Sequence, residues 1–333
     1  MEKAADSYDY RDPKMKTNEF LYLGNPMPFE VYKNGNHVGK MFSHYYESVT
    51  DLALEFEDAY NKKSDCKFAA DIIFDTTKFY GSSCKDTIEY GKFGNDKYVD
   101  RANRILESVE AKINDTGIDT SAFKIDRSSF GGAPIVPAYL AGNPNNMLVR
   151  RKLDMDTNPI NVYIDLTVSA SVEDFEIENR GVAALALTML ISRIRPVNLY
   201  LSTFVCIGGE KLNTSGAICK VETSPLDIAR AQWAMCSPEF LRRLGFMVAE
   251  RHAYERNESS SSYIPWPFND FNSPEYIIPC LHDHFNTSKM ENANYIMIPG
   301  FVSDGSSEQF KNDETSVDYI VNEYMKALER NDR

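Results

Sequence analysis

The sequence lacks the features that would place the chain in a membrane or in a secretory pathway. No apolar run approaches the roughly 20 residues that a helix needs to span a bilayer. The first residues, Met1 to Asp6, do not show the basic-then-apolar order of a secretion signal. We therefore expect a cytoplasmic protein that does not bind a membrane.

Paired cysteines and complete zinc motifs are also missing. The six cysteines are far apart in the sequence and form no C-x-x-C pair, so we expect reduced, mostly buried thiols rather than disulfides. On a strand, Cys280, His282 and His284 would share one face and could offer three ligands to zinc. No second pair of ligands with zinc-like spacing accompanies them, so a polar strand end is the preferred interpretation.

Complete enzyme signatures are absent as well. The sequence contains no G-x-S-x-G, no P-loop, no G-x-G-x-x-G and no H-E-x-x-H motif, so we expect an interaction protein rather than an enzyme. Positive charge is scarce, with 36 Lys and Arg against 49 Asp and Glu and a net charge of −13. This balance argues against tight, non-specific binding to duplex DNA, which depends on clustered basic residues.

What the chain does contain divides it into three regions. Residues 1–125 are predicted to be mainly helical after extended segments up to about residue 43. Residues 126–160, rich in Gly, Pro and Asn, are predicted to be a connector. Residues 161–333 are predicted to form an α/β domain. The apolar spacing in the first region predicts helices over residues 44–62, 82–91 and 96–114.

The third region begins with a strand, helix and strand over residues 162–168, 178–193 and 197–207. This order within 50 residues is typical of parallel neighbours in one sheet. Further strands are predicted over 217–221, 276–281 and 295–302, and further helices over 226–235, 237–251 and 316–330. The fold class is therefore predicted as α/β, with a doubly wound, mostly parallel sheet.

The first of these strands ends in Asp165, Thr167 and Ser169, a D-x-T-x-S motif at the sheet edge where such folds bind ligands. By alternation the three side chains point the same way, so their oxygens could converge on a hard cation such as Mg²⁺ or Mn²⁺. The motif resembles the metal-ion-dependent adhesion site of von Willebrand factor A-like domains. The resemblance covers about residues 160–333 and implies two further ligands, Thr223 and Asp304.

This resemblance implies an A-like fold and an interaction function. In the family, the cation keeps one position open for a carboxylate of a protein partner, and intracellular members resemble partners of AAA+ ATPases. Two other interpretations of the motif stay open. An A-like fold can carry a degenerate site, or the three side chains can simply form local hydrogen bonds at a strand end.

Three other segments resemble an uncharacterised family of tailed bacteriophages and prophages. They lie over residues 79–91, 136–147 and 237–246, and they include the runs FYGSS, VPAYLAGNPNNM and SPEFLRRLGF. The resemblance implies a phage origin, and so the host cytoplasm, but no activity. The glycines in these segments could equally be ordinary helix stops.

The sequence thus predicts a phage-encoded adaptor that binds a protein partner, with a divalent cation as a candidate contact and a replication or transcription complex as a candidate setting. One alternative is an accessory protein that stacks single-stranded DNA on aromatic side chains. The aromatic candidates for that role are Tyr8, Tyr10, Phe20, Tyr22, Tyr45 and Tyr46. A second alternative is a metal-dependent nuclease that uses Asp165 and Asp304.

Overall fold

A computed structural model provides the fold of the chain. It describes residues 27–33, 36–61, 78–115, 123–130, 132–152, 159–169, 172–193, 196–207, 212–255, 263–265, 295–298, 300 and 308–329. The protein is mixed α/β, with helices packed on a central sheet that contains both parallel and antiparallel strand pairs. None of the helices in these ranges is long and apolar enough to cross a membrane.

The main sheet has seven strands within the described ranges. They are β1 (Met27–Lys33), β2 (Asn36–Tyr46), β6 (Ile160–Asp165), β7 (Val197–Ile207), β8 (Leu212–Val221), β9 (Tyr263–Pro265) and β10 (Tyr295–Ile298). Their order is β1-β2-β8-β7-β6-β10, with β9 paired to β7. The pairs β2–β8, β7–β6 and β6–β10 are parallel, whereas β1–β2, β7–β8 and β7–β9 are antiparallel.

The predicted strand-helix-strand unit is present. Strands β6 and β7 are parallel neighbours, with Ile160 opposite Val197 and Asp165 opposite Ser202. All six residues of β6 are buried, as expected for a central strand rich in β-branched side chains. The prediction that these two strands lie side by side and run the same way is confirmed.

The helix that joins them, α5 (Asp174–Ser192), is buried on nearly all sides. Glu173 caps the start of this helix, and its N–H donates to the side chain of Glu176 over 3.2 Å. It packs against α3 (Val99–Asp115), α6 (Ile228–Cys236) and α8 (Asp313–Glu329). A helix that is apolar all round belongs in the middle of a helical layer, and α5 lies there.

The first 115 residues contribute strands as well as helices. Helices α1 (Val49–Asn61), α2 (Cys84–Phe93) and α3 lie in this region, and α2 begins with Ser83 accepting a hydrogen bond from the N–H of Asp86. Strands β1 and β2 belong to the main sheet, because β2 pairs with β8 over eight residues. The helix predicted from residue 44 therefore begins only at Val49, after the strand ends.

A π-helical segment, Phe240–Gly245, leads into helix α7 (Phe246–Glu255). A Cβ atom added at Gly245 would lie 2.6 Å from the hydroxyl of Thr203 on β7, so this helical segment lies directly on the sheet. Helix α1 lies on the same face of the sheet, since Tyr46 of β2 donates to its Glu55 over 2.8 Å. The strand predicted over residues 276–281 lies outside the described residues.

The predicted connector contains a second, smaller sheet. Strand β5 (Met147–Lys152) pairs antiparallel with β3 (Phe123–Ser128) on one side and with β4 (Ala133–Pro134) on the other. A five-residue helix, α4 (Val136–Leu140), lies between β4 and β5. We call residues 123–152 the small-sheet module.

Candidate functional site

Asp165, the centre of the predicted metal motif, ends strand β6 and is fully buried. Its Oδ1 accepts a hydrogen bond of 3.0 Å from the backbone N–H of Thr167. The buried guanidinium of Arg180 donates to the backbone carbonyl of Asp165 over 3.1 Å. Burial lowers the pKa of Arg180 to about 10 and the charge of Asp165 opposes that shift, so Arg180 is cationic at neutral pH. A protein cation therefore already accompanies Asp165.

The other two residues of the motif also form local contacts. The Oγ1 of Thr167 accepts the backbone N–H of Phe204 in β7 over 3.0 Å, and the Thr167 side chain is buried. Ser169 is half-buried, and its carbonyl accepts the N–H of Val172 over 3.2 Å. These contacts fasten the loop after β6 to its neighbours.

Thr223, the fourth predicted ligand, lies at the opposite end of the sheet. Its hydroxyl donates to the carbonyl of Val197, the first residue of β7. Val197 is opposite Ile160, and the five residues from there to Asp165 span about 16 Å of strand. The structure does not bring Thr223 to Asp165, because β8 runs antiparallel to β7 and returns the chain to the amino end of β6.

The remaining metal candidates have no described position. Asp304 lies outside the described residues, and so do Cys280, His282 and His284. Among the residues that the structure does describe, no three or more His, Cys, Asp or Glu side chains are grouped so as to hold a metal ion. Of the predicted carboxylate ligands, the structure thus describes only Asp165, which is buried and has the charged Arg180 as an electrostatic neighbour.

A pocket of about 360 Å³ lies between the end of β2 and helix α1. The described residues that line it are Tyr45, Tyr46, Glu47, Asp51, Leu54, Glu55 and Asp58, so they include four carboxylates and no lysine or arginine. Leu54 is 46% exposed in the middle of this acidic surface. We call this site the acidic pocket.

Two aromatic residues of the single-stranded DNA alternative line the acidic pocket. Tyr46 is buried and donates to Glu55, which also forms an ion pair with the buried Arg251. Tyr45 is half-buried; burial and then the charge of Glu47 raise its pKa. Tyr46 is too buried to stack on a base, and the carboxylates around both rings would repel phosphates. The other aromatic candidates, at positions 8, 10, 20 and 22, lie outside the described residues.

Two of the three segments that suggested a phage family pack against each other. Arg242 of the π-helical segment donates to the carbonyls of Phe79 and Val172 over 3.0 and 3.3 Å. Its guanidinium lies 4.4 Å from the centre of the Phe79 ring. The neighbouring Arg243 donates to the carbonyl of Ser82 over 3.0 Å and contacts the sulfur of Cys84. Both arginines are buried, so these segments hold the N-terminal region on the C-terminal half.

The carboxylate of Glu239 completes this cluster. It accepts hydrogen bonds from the hydroxyl of Ser82 over 2.8 Å and from the indole N–H of Trp233 over 3.2 Å. Glu239 and Trp233 are both buried. The buried polar groups of Arg242, Arg243 and Glu239 therefore have partners inside the protein, and their role is structural.

The third segment is different, because it and the rest of the small-sheet module around it place large apolar side chains in solvent. Leu140 is 78% exposed, Phe130 68% and Tyr139 66%, and Val136 and Leu148 are exposed too. No residue of helix α4 is buried. The module is nevertheless folded: the N–H of Ile135 donates to the carbonyl of Asn146 over 2.7 Å, and that of Gly132 to Leu148 over 2.9 Å.

Charge also distinguishes this module from the rest of the chain. It contains five basic residues, Lys124, Arg127, Arg150, Arg151 and Lys152, and one acidic residue, Asp126, for a net charge of +4. The remainder of the chain carries −17, since the whole has −13. The Gly, Pro and Asn residues of this part of the chain interrupt any regular spacing of apolar residues and therefore predict a connector. The sequence feature that indicates the module is the clustering of basic and large apolar residues.

The comparisons with known proteins add the family. No curated protein and no solved structure matches the chain detectably. A family model described as a domain of unknown function, DUF7192, matches residues 25–328. The match includes strands of the main sheet, the small-sheet module and helix α8 in one continuous unit. The chain therefore belongs to the family of this domain of unknown function, DUF7192.

Proposed function

We propose that the chain is a protein-interaction adaptor and that its contact surface is the small-sheet module. The observation that carries the proposal is the exposure of Phe130, Val136, Tyr139, Leu140 and Leu148 within 30 residues. Groups of large exposed apolar side chains often mark interaction sites in proteins. Aromatic side chains with arginine nearby are typical of the residues that dominate interface energies.

The contrast among the three phage-like segments supports this assignment. The segments over 79–91 and 237–246 contain arginines and a glutamate whose hydrogen bonds lie within the fold. The segment over 136–147 has no buried residue in its helix and contributes little to any core. A fold gains nothing from large apolar side chains in water, so a binding role accounts for them better than a structural one.

We further propose that the adaptor acts without a divalent cation at Asp165. The positive charge of Arg180 next to Asp165 would repel a cation. Thr223 is hydrogen-bonded to the carbonyl of Val197 at the far end of the sheet. Asp165 is also fully buried, which argues against a nuclease that would use it on a nucleic-acid strand. The scaffold that we propose is a doubly wound A-like one with a degenerate site, in agreement with the strand order β8-β7-β6-β10.

The direct test is photo-cross-linking from two exposed positions. A benzophenone amino acid replaces Tyr139 in one chain and Phe93 in another, because Phe93 is 74% exposed but lies on helix α2, outside the module. Each chain is produced in the cells that naturally contain the protein, and the products are identified by mass spectrometry. We expect specific protein cross-links from position 139 and none from position 93, unchanged by EDTA.

Other products would overturn parts of the proposal. Equal cross-linking from both positions would contradict a contact surface confined to the module. Loss of the cross-links in EDTA would restore the cation at Asp165 as the contact. Cross-links from position 139 to nucleic acid would favour the single-strand-binding alternative, in which Phe130 and Tyr139 stack bases beside basic strands. A product containing an AAA+ ATPase would identify the partner class that the A-like resemblance implies.

A further inference from the structure

We draw no further inference here: the strongest candidate, the acidic pocket between the end of β2 and helix α1, is a cluster of carboxylates beside an exposed leucine, and nothing in the described part of the structure shows which ligand or partner occupies it.

Discussion

The two sheets of this protein differ in how far their apolar side chains are buried. In the main sheet, all of β6 and residues 199–205 of β7 are buried and lie under a helical layer, so their side chains belong to the core. In the small-sheet module, strand β5 and helix α4 expose Leu148, Val136 and Leu140 to solvent. The main sheet therefore supplies the core of the fold, whereas the module leaves large apolar side chains exposed, which is why we propose it as the binding surface.

The same comparison separates the two candidate sites. The Asp165 end of the main sheet has the sequence motif of a binding site, but its carboxylate is buried, Arg180 donates to the Asp165 backbone, and the Thr167 hydroxyl accepts a backbone hydrogen bond within the fold. The module has no recognised motif, yet it carries the exposed apolar groups and the positive charge. A motif describes which residues are present, whereas binding depends on which of them remain accessible.

The largest difference that we expect between the two sheets is in amide hydrogen exchange. Amides of β6 and β7 should exchange only through global unfolding, because both strands are buried and paired on two sides. Amides of β3 and β5 should exchange at least about 100-fold faster, through local opening of a sheet with little apolar cover. Exchange resolved by mass spectrometry of peptides measures both. Equal protection of the two sheets would mean that the module is part of the main cooperative unit.

Paired truncations of one residue type should show the next largest difference. Phe56 of α1 is fully buried and Phe130 of the module is 68% exposed. Phe56→Ala should lower the free energy of unfolding by about 3–5 kcal/mol, because it leaves a cavity in the core. Phe130→Ala should change it by less than about 0.5 kcal/mol. Urea denaturation followed by tryptophan fluorescence gives both values, and a large loss at Phe130 would show that the module supports the core.

Removal of Arg180 should have a somewhat smaller effect, still within the main sheet. Arg180→Met leaves Asp165 buried without its cationic neighbour, and we expect a loss of about 3 kcal/mol in stability. Asp165→Asn in the same chain should recover part of that loss, since the charge that needed compensation is gone. The wild-type chain should give a flat calorimetric titration with Mn²⁺. Heat of Mn²⁺ binding that Asp165→Asn abolishes would contradict the closed site.

The sequence predicted the helices and strands in which apolar residues are regularly spaced over a long segment. The strand over residues 197–207 has the predicted bounds because most of its residues are apolar or β-branched. Helix α5 begins one turn earlier than predicted, at Asp174, and ends one residue earlier, at Ser192. The helix predicted from residue 44 begins at Val49 because Tyr45 fits the helical spacing by coincidence while pairing with Ile218 in the sheet. Local period cannot reveal that pairing, which depends on residues far along the chain.

The site was less accessible to sequence reasoning, for two physical reasons. The resemblance to A-like domains implies that Thr223 joins Asp165, but β8 runs antiparallel to β7 and returns the chain to the other end of the sheet, which separates the two residues. Pro134, Gly142 and Asn143 interrupt the regular apolar spacing of helices and strands, so the sequence predicts a connector where the structure has the module. Exposure of Leu140 depends on the absence of a covering element in the folded chain, which no local pattern encodes.

The central claim is that the module, and not the Asp165 end of the main sheet, is the surface that binds a protein partner. Phe175 offers a matched comparison, since it is 54% exposed in the first turn of α5, close in sequence to the Asp165 motif. The measurement is the affinity of the cross-linked partner for two variants, Leu140→Glu and Phe175→Glu, by biolayer interferometry. The account predicts a loss of at least about 30-fold for Leu140→Glu, as for an interface hot spot, and no change for Phe175→Glu. The reverse pattern, with binding lost in Phe175→Glu and kept in Leu140→Glu, would contradict it.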